Sequence, residues 1–137
     1  MTDKLFEWND SFLIGIEELD HEHKVLIDDI NRLHEKLAGN DKKSEIATCL
    51  GDIHARMQAH FALEEHVMKE HKYEFYDEHK GEHDELIDRY TEDMLQFLND
   101  IGTSSKDRIE NELNHWVMHH IITSDKKMSL MIREKDS

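Results

Sequence analysis

His60-x-x-x-Glu64 and His79-x-x-x-His83 each place two metal-donor side chains one helical turn apart. Each pair also sits on a stripe of apolar residues spaced alternately by three and four, the side of a helix that faces inward. The first stripe runs Ile46, Leu50, Ile53, Met57, His60, Glu64 and Val67, and the second Phe75, His79, His83, Leu86, Tyr90, Met94, Phe97 and Ile101. Extending the stripe Leu26, Ile30, Leu33 and Leu37 back one turn lands on His23, and the stripe Ile109, Leu113 and Trp116 continues to His120. Asp125 follows five residues later, just past the reach of a regular turn. A buried imidazole or carboxylate without a hydrogen bond costs about 1–3 kcal/mol. Six such groups would consume most of the roughly 5–15 kcal/mol that holds a small domain together. One inward histidine is ordinarily satisfied by a backbone carbonyl or a water. Five, with a glutamate, on four stripes point to a shared partner, and metal is the natural one. Five imidazoles and two carboxylates exceed what one ion takes, whereas two ions bridged by Glu64 and Asp125 use every donor. With no thiolate in the set, iron, manganese and zinc all suit it, zinc less well because it prefers four ligands.

Holding these donors together requires four helices, predicted over residues 20–38, 41–70, 74–99 and 104–123. Residues 1–18 carry Phe6, Trp8, Phe12, Leu13 and Ile14 and are expected to pack as an ordered arm, with Gly15 in a turn. Gly39-Asn40 suits left-handed backbone at the end of the first helix. Thr103, Ser104 and Ser105 offer N-caps to the fourth, with Asp107 completing a capping-box-like arrangement. Proline is absent, consistent with long unkinked helices. Short connections make sequential helices antiparallel neighbours, so the expectation is an all-α, up-down-up-down four-helix bundle in a single domain over 1–137. Gly51 and Gly81 fall inside predicted helices, each costing about 1 kcal/mol against alanine with no reason visible in the sequence. The other seven histidines (His21, His34, His54, His66, His71, His115 and His119) lie off the stripes and read as surface residues.

The 137 residues carry 32 acidic and 17 basic side chains, a formal charge of −15. That charge repels phosphate backbones and anionic lipid, which excludes nucleic-acid and membrane-surface roles and favours cations as partners. No stretch approaches the roughly 18 apolar residues of a membrane span. The single Cys49 allows neither an internal disulfide nor a CxxC motif. An N-terminus without a positive region and apolar run lacks a secretory signal, so the expected location is the cytoplasm.

Several further motifs are similar to those of the hemerythrin family, and within it to the bacteriohemerythrins. They are Phe6-x-Trp8 and Gly15-Ile16-x-x-Leu19-Asp20-x-Glu22-His23-Lys24; His60-Phe61-x-x-Glu64-Glu65; His79-x-x-x-His83; and Trp116-x-x-x-His120-Ile121-x-x-x-Asp125. The fifteen-residue interval from Glu64 to His79 fits as well, and the resemblance covers nearly the whole chain. One departure is Tyr73-Glu74, where many relatives have Tyr-Pro. The resemblance implies that His79, His83 and His120 bind one iron and His23 and His60 the other. Glu64, Asp125 and an oxo or hydroxo group would bridge them. Dioxygen would take the vacant position on the two-histidine iron, drawing two electrons from the diferrous pair and a proton from the bridging hydroxide. Leu26, Phe61, Trp116 and Ile121 would wall an apolar pocket that keeps out water and stray protons.

The function so implied is reversible oxygen storage, transport or delivery by a monomer that is not an enzyme, with any protein recipient of the oxygen unspecified. Two alternatives stand beside it: a di-iron enzyme or scavenger of peroxide or nitric oxide, and an oxygen or iron sensor acting through a separate partner. Ferritin-like chemistry needs Glu-x-x-His motifs facing inward. Glu18-x-x-His21 and Glu112-x-x-His115 have that spacing but lie off the stripes.

Overall fold

A computed structural model describes residues 12–39, 42–99 and 103–136. Its helices are α1 (Glu17–Ala38), α2 (Lys43–Glu70), α3 (Tyr76–Asn99) and α4 (Thr103–His115), then a π-helical segment (Trp116–Asp125) and α5 (Lys126–Asp136). The described residues hold no strand. The helix packs α1 on α2, α2 on α3, α3 on α4 and α4 back on α1, which closes the four-helix arrangement expected from the short connections. The apolar stripes explain this packing. Leu26, Ile30, Leu33, Leu50, Ile53, Met57, Ile109, Leu113 and Trp116 are all buried in one continuous core. Ile101, Phe6 and Trp8 lie outside the described residues, as do the side chains of the expected caps at 103–105.

Four expectations are corrected. The fourth helix does not stop at 123: helical backbone at His115 (φ −59°, ψ −47°) and Lys126 (φ −64°, ψ −42°) carries the rod without a break to 136. That extension buries Met128, Ser129 and Ile132, and the Ser129 hydroxyl donates to the carbonyl of Ile14. The first helix begins at Glu17 rather than 20, and from its first turn the Asp20 carboxylate accepts the N–H groups of Ile14 (2.7 Å) and Gly15 (3.2 Å), tying the preceding turn to the helix. Gly39 ends α1 at φ −88°, not in the left-handed region, its N–H donating to Glu35 O. Finally, His34 and His54 are half-buried and partnered, not free at the surface: His34 Nδ1 lies 2.9 Å from Glu110 and His54 Nε2 lies 3.0 Å from Thr91.

Left-handed backbone does occur at Gly15 (φ 95°) and Lys72 (φ 53°). At Gly15 a Cβ would meet only the end of the exposed, flexible Arg133 side chain, which can move aside, so it is the positive φ that favours glycine in this turn. Lys72 ends α2, with Tyr73 N–H donating to Met68 O in a Schellman-type closure. This closure carries the chain into α3 without a proline and leaves Tyr73 buried, its ring 6.3 Å from that of His79. Cβ atoms added at Gly51 and Gly81 would meet nothing within 4 Å, so packing gives no reason for either glycine.

Candidate metal centre

The four rods bring His23, His60, Glu64, His79, His83, His120 and Asp125 together, and all seven are buried. α1 contributes His23, α2 contributes His60 and Glu64, α3 contributes His79 and His83, and the π-helical segment contributes His120 and Asp125. The pairs on α2 and α3 follow from four-residue spacing on one helical face. His120 and Asp125 are separated by five residues, and an α-helix would rotate them apart by roughly 140°. The π winding, which Lys126 N–H continues by donating to Ile121 O five residues back, returns Asp125 to the face of His120.

The donors divide into two sets that share both carboxylates: Glu64, His79, His83, His120 and Asp125 in one, and His23, His60, Glu64 and Asp125 in the other. The carboxylate oxygens divide accordingly. Glu64 Oε1 approaches His79 Nε2 and lies 3.1 Å from His83 Nε2, while Asp125 Oδ1 lies 3.0 Å from His79 Nε2 and 2.9 Å from His120 Nε2. On the other side, Glu64 Oε2 is 3.3 Å from His60 Nε2 and Asp125 Oδ2 is 3.1 Å from His23 Nε2. Each carboxylate thus offers one oxygen to a three-imidazole set and its second to a two-imidazole set.

Charge governs the protonation of the cluster. Burial pulls His79 down, but hydrogen bonds to Asp125 and Glu64 outweigh it and lift its pKa from 6.5 to about 9. Burial likewise opposes charge on His120, yet Asp125 above all holds it well above its ordinary value. Burial would raise Glu64, and the surrounding imidazoles, His120 first, hold it well below the usual carboxylate range. Asp125 is also depressed, its burial and the charge of Glu64 being outweighed by His120 and His23. The buried carboxylates thus favour positive charge on His79 and His120.

The two-imidazole side supplies the test of fit. Both ring nitrogens of His23 and of His60, together with Glu64 Oε2 and Asp125 Oδ2, are buried without a hydrogen-bond partner. Native interiors rarely leave such atoms unpaired. The two Nε2 atoms lie 3.1 and 3.3 Å from those carboxylate oxygens without hydrogen-bonding alignment, the arrangement expected of donors converging on a cation. An imidazole and carboxylate donor set of this kind fits iron.

Two residues hold the three-imidazole side from outside: Glu65, which the sequence offered only as part of a motif without a role, and Glu82, which it did not single out. Glu65 Oε2 accepts from His83 Nδ1 at 2.9 Å, and Glu82 Oε2 lies 3.4 Å from His120 Nδ1. Glu82 is correspondingly depressed to about 2, the hydrogen bond from His120 being the main cause. Their signal was their position beside Glu64 and His83, masked by an acidic composition that makes any one glutamate unremarked. Of the apolar side chains expected around the site, Leu26, Phe61, Trp116 and Ile121 are all buried. Phe61 stacks on His83 (centroids 4.0 Å apart) and reaches His60 at 5.9 Å, while Trp116 lies edge-on to Phe61 and 6.5 Å from His120. The rings of Phe61 and Trp116 therefore pack chiefly against the three-imidazole side. Glu18, His21 and His115 are exposed; Glu112 is half-buried with one carboxylate oxygen buried, but neither ferritin-like spacing brings its glutamate and histidine inward together.

A helical bundle with one imidazole and carboxylate cluster drawn from all its rods matches what known sequences show. Residues 14–132 match the family described as Hemerythrin HHE cation binding domain, and the chain belongs to the hemerythrin family. Among its relatives, the bacteriohemerythrin of Pseudomonas aeruginosa (strain LESB58) is 30% identical over 118 residues, covering 86% of this chain and 75% of the relative. That of Stenotrophomonas maltophilia (strain R551-3) is 30% identical over 121 residues, 88% of this chain and 77% of the relative. Hemerythrin subunit 1 of Golfingia vulgaris is 31% identical over 122 residues, 89% of each. No described helix is long and apolar enough to cross a membrane.

Proposed function

We propose that this chain holds two iron ions at the centre of its bundle and binds dioxygen reversibly there, as a non-enzymatic monomer serving oxygen storage or delivery. The observation that carries this reading is the division of the Glu64 and Asp125 oxygens between a three-imidazole and a two-imidazole set. His79, His83 and His120 would hold one iron, His23 and His60 the other, with Glu64 and Asp125 bridging. When bound, the pair would supply two reducing equivalents for dioxygen.

The chain's own residues then decide reversibility. Glu64 and Asp125 fix the spacing of the two sets from rigid helical positions, which limits reorganisation when the oxidation state changes. Glu65 and Glu82 accept the outer N–H groups of His83 and His120, fixing the tautomers that present Nε2 inward. Leu26, Phe61, Trp116 and Ile121, each at most 2% exposed, exclude the water and protons that would drive irreversible oxidation. A cytoplasmic location suits a chain with one cysteine, buried and free.

The test is to load the metal-free protein with ferrous iron, admit oxygen and record the visible spectrum. A band that appears with oxygen and vanishes under vacuum, over repeated cycles, is expected. A permanently oxidised product after one exposure, or sustained turnover of peroxide or nitric oxide, would overturn the reading.

A further inference from the structure

Carboxylates hold two of the three imidazoles from outside, Glu65 on His83 and Glu82 on His120. Against His79 the structure sets an aromatic ring. Tyr73, in the turn between α2 and α3, stands edge-on to His79, with centroids 6.3 Å apart and planes 76° from parallel. Phe75 in turn stands edge-on to Tyr73 at 5.9 Å. The ammonium of Lys127, carried by α5, lies 4.1 Å from the centre of the Phe75 ring. That is well within the roughly 6 Å over which a cation is drawn to an aromatic face. Lys127 is exposed and His79 is buried, so three side chains in succession link solvent to a donor.

The ends of this succession also meet through the cluster. Lys127 follows Asp125 by two residues, Phe75 precedes His79 by four, and Asp125 Oδ1 lies 3.0 Å from His79 Nε2. We propose that Lys127 is a positioning residue for the metal centre: its ammonium pins Phe75 and, through Phe75 and Tyr73, braces the α2–α3 turn over His79, closing the route by which water and competing ligands would reach the three-imidazole set. The role in retaining metal rests on the di-iron reading, whereas the brace itself does not. Two features place the route at this turn. His79, at 4%, is the most exposed of the seven donors. The turn also opens on Lys72 in left-handed backbone, which a residue with a Cβ disfavours, so a tie from outside the turn helps to keep it closed. Lys69 lies over an aromatic ring as well, Tyr76 at 5.4 Å, but that ring is not on the path from Lys127 to His79.

The experiment measures amide hydrogen exchange in the metal-free protein and chelator-driven loss of iron from the loaded protein. Lys127→Met keeps the aliphatic bulk and removes the charge. It should raise exchange at the Tyr76 and His79 amides, which donate to the turn carbonyls of Tyr73 and Phe75, and it should speed iron loss. Each change should be about two- to fivefold, the factor that an exposed cation–π contact supplies. Lys127→Arg keeps a cation for the ring and should match the unaltered chain in both measurements. Lys69→Met removes an equal charge from over Tyr76 and should change neither. Lys127→Met combined with Phe75→Leu should be no faster than Phe75→Leu alone, because the charge then has no ring to pin. Unchanged exchange in Lys127→Met would overturn the brace. Equal acceleration by Lys69→Met, or additive effects in the double variant, would trace the change to net charge and overturn it too. Raised exchange with unaltered iron loss would overturn the role in retention. Failure of the unaltered chain to keep iron would count against the di-iron reading alone, since the exchange measurement needs no metal.

Discussion

The account stands or falls first on individual donors. Glu65 is the sharpest probe of how their rings are held, because among the inner donors it bonds His83 and is not itself a donor: Glu65→Ala should weaken iron retention about 10- to 100-fold in a chelator competition, with Glu65→Gln recovering much of the loss. Retention unchanged in Glu65→Ala would mean that packing alone, chiefly the Phe61 stack, orients His83. His34→Ala should leave iron content unaltered, since His34 pairs with Glu110 away from the cluster. The metal-free protein should also show a distinctive pH profile. His79 has a folded pKa of about 9 against an ordinary 6.5, so its contribution to stability is complete below pH 6.5 and is lost as pH rises through 9. Glu82 runs the other way, from 4.5 to about 2, so its contribution is present above pH 4.5 and lost as pH falls through 2. Thermal melts of the metal-free chain should therefore peak between about pH 4.5 and 6.5 and decline toward pH 9. Iron-loaded protein should not decline over that alkaline range, because ligands that bind metal have already given up their protons. Parallel declines in both forms would refute this assignment of positive charge to His79. At this scale the inner cluster was legible because polar residues interrupt apolar stripes at helical spacing. The roles of the outer glutamates were not, since Glu65 entered only as part of a motif and nothing local distinguishes Glu82 from the chain's many other acidic residues.

Among the elements, the π-helical segment has the clearest functional consequence. It lets one rod present both His120 and Asp125 inward at a spacing that α-helical winding would forbid. Sequence periodicity assumes 3.6 residues per turn, so it placed Asp125 at the end of a helix instead of within one. The same assumption ended the fourth helix at 123 and hid α5, whose buried Ser129 looks like a break in the stripe until its hydroxyl is seen to cap the carbonyl of Ile14. That partner lies 115 residues away, beyond any local pattern. Two substitutions test the remaining elements. Lys72 occupies left-handed backbone at a helix end, so Lys72→Gly should raise stability by about 1 kcal/mol in a denaturant titration. Gly51→Ala, at an exposed helical position where a Cβ meets nothing, should raise it by a similar amount of about 1 kcal/mol. Destabilisation at Gly51 would reveal a contact that the folded chain does not show.

For the molecule as a whole, bundle and site are one design. Much of each rod buries apolar side chains, while the stretch near the starts of α1 and α3 and the end of α2 gives up apolar packing for donors, several of whose atoms are unpaired without metal. The antiparallel order of the helices followed from short connections between stripes of steady helical spacing, which is why the fold was readable before any coordinates. A protein built this way should gain stability from its metal: at a free ion concentration a thousandfold above the dissociation constant, binding adds about 4 kcal/mol. Chelation should correspondingly lower the melting temperature.

The central claim is tested most directly by counting iron. Protein loaded anaerobically with ferrous ion, passed through a desalting column and assayed should retain two iron ions per chain, and Glu64→Ala, lacking a donor common to both sets, should lose both together. Retention of a single iron by the unaltered chain, or of two by the Glu64 variant, would contradict a bridged pair.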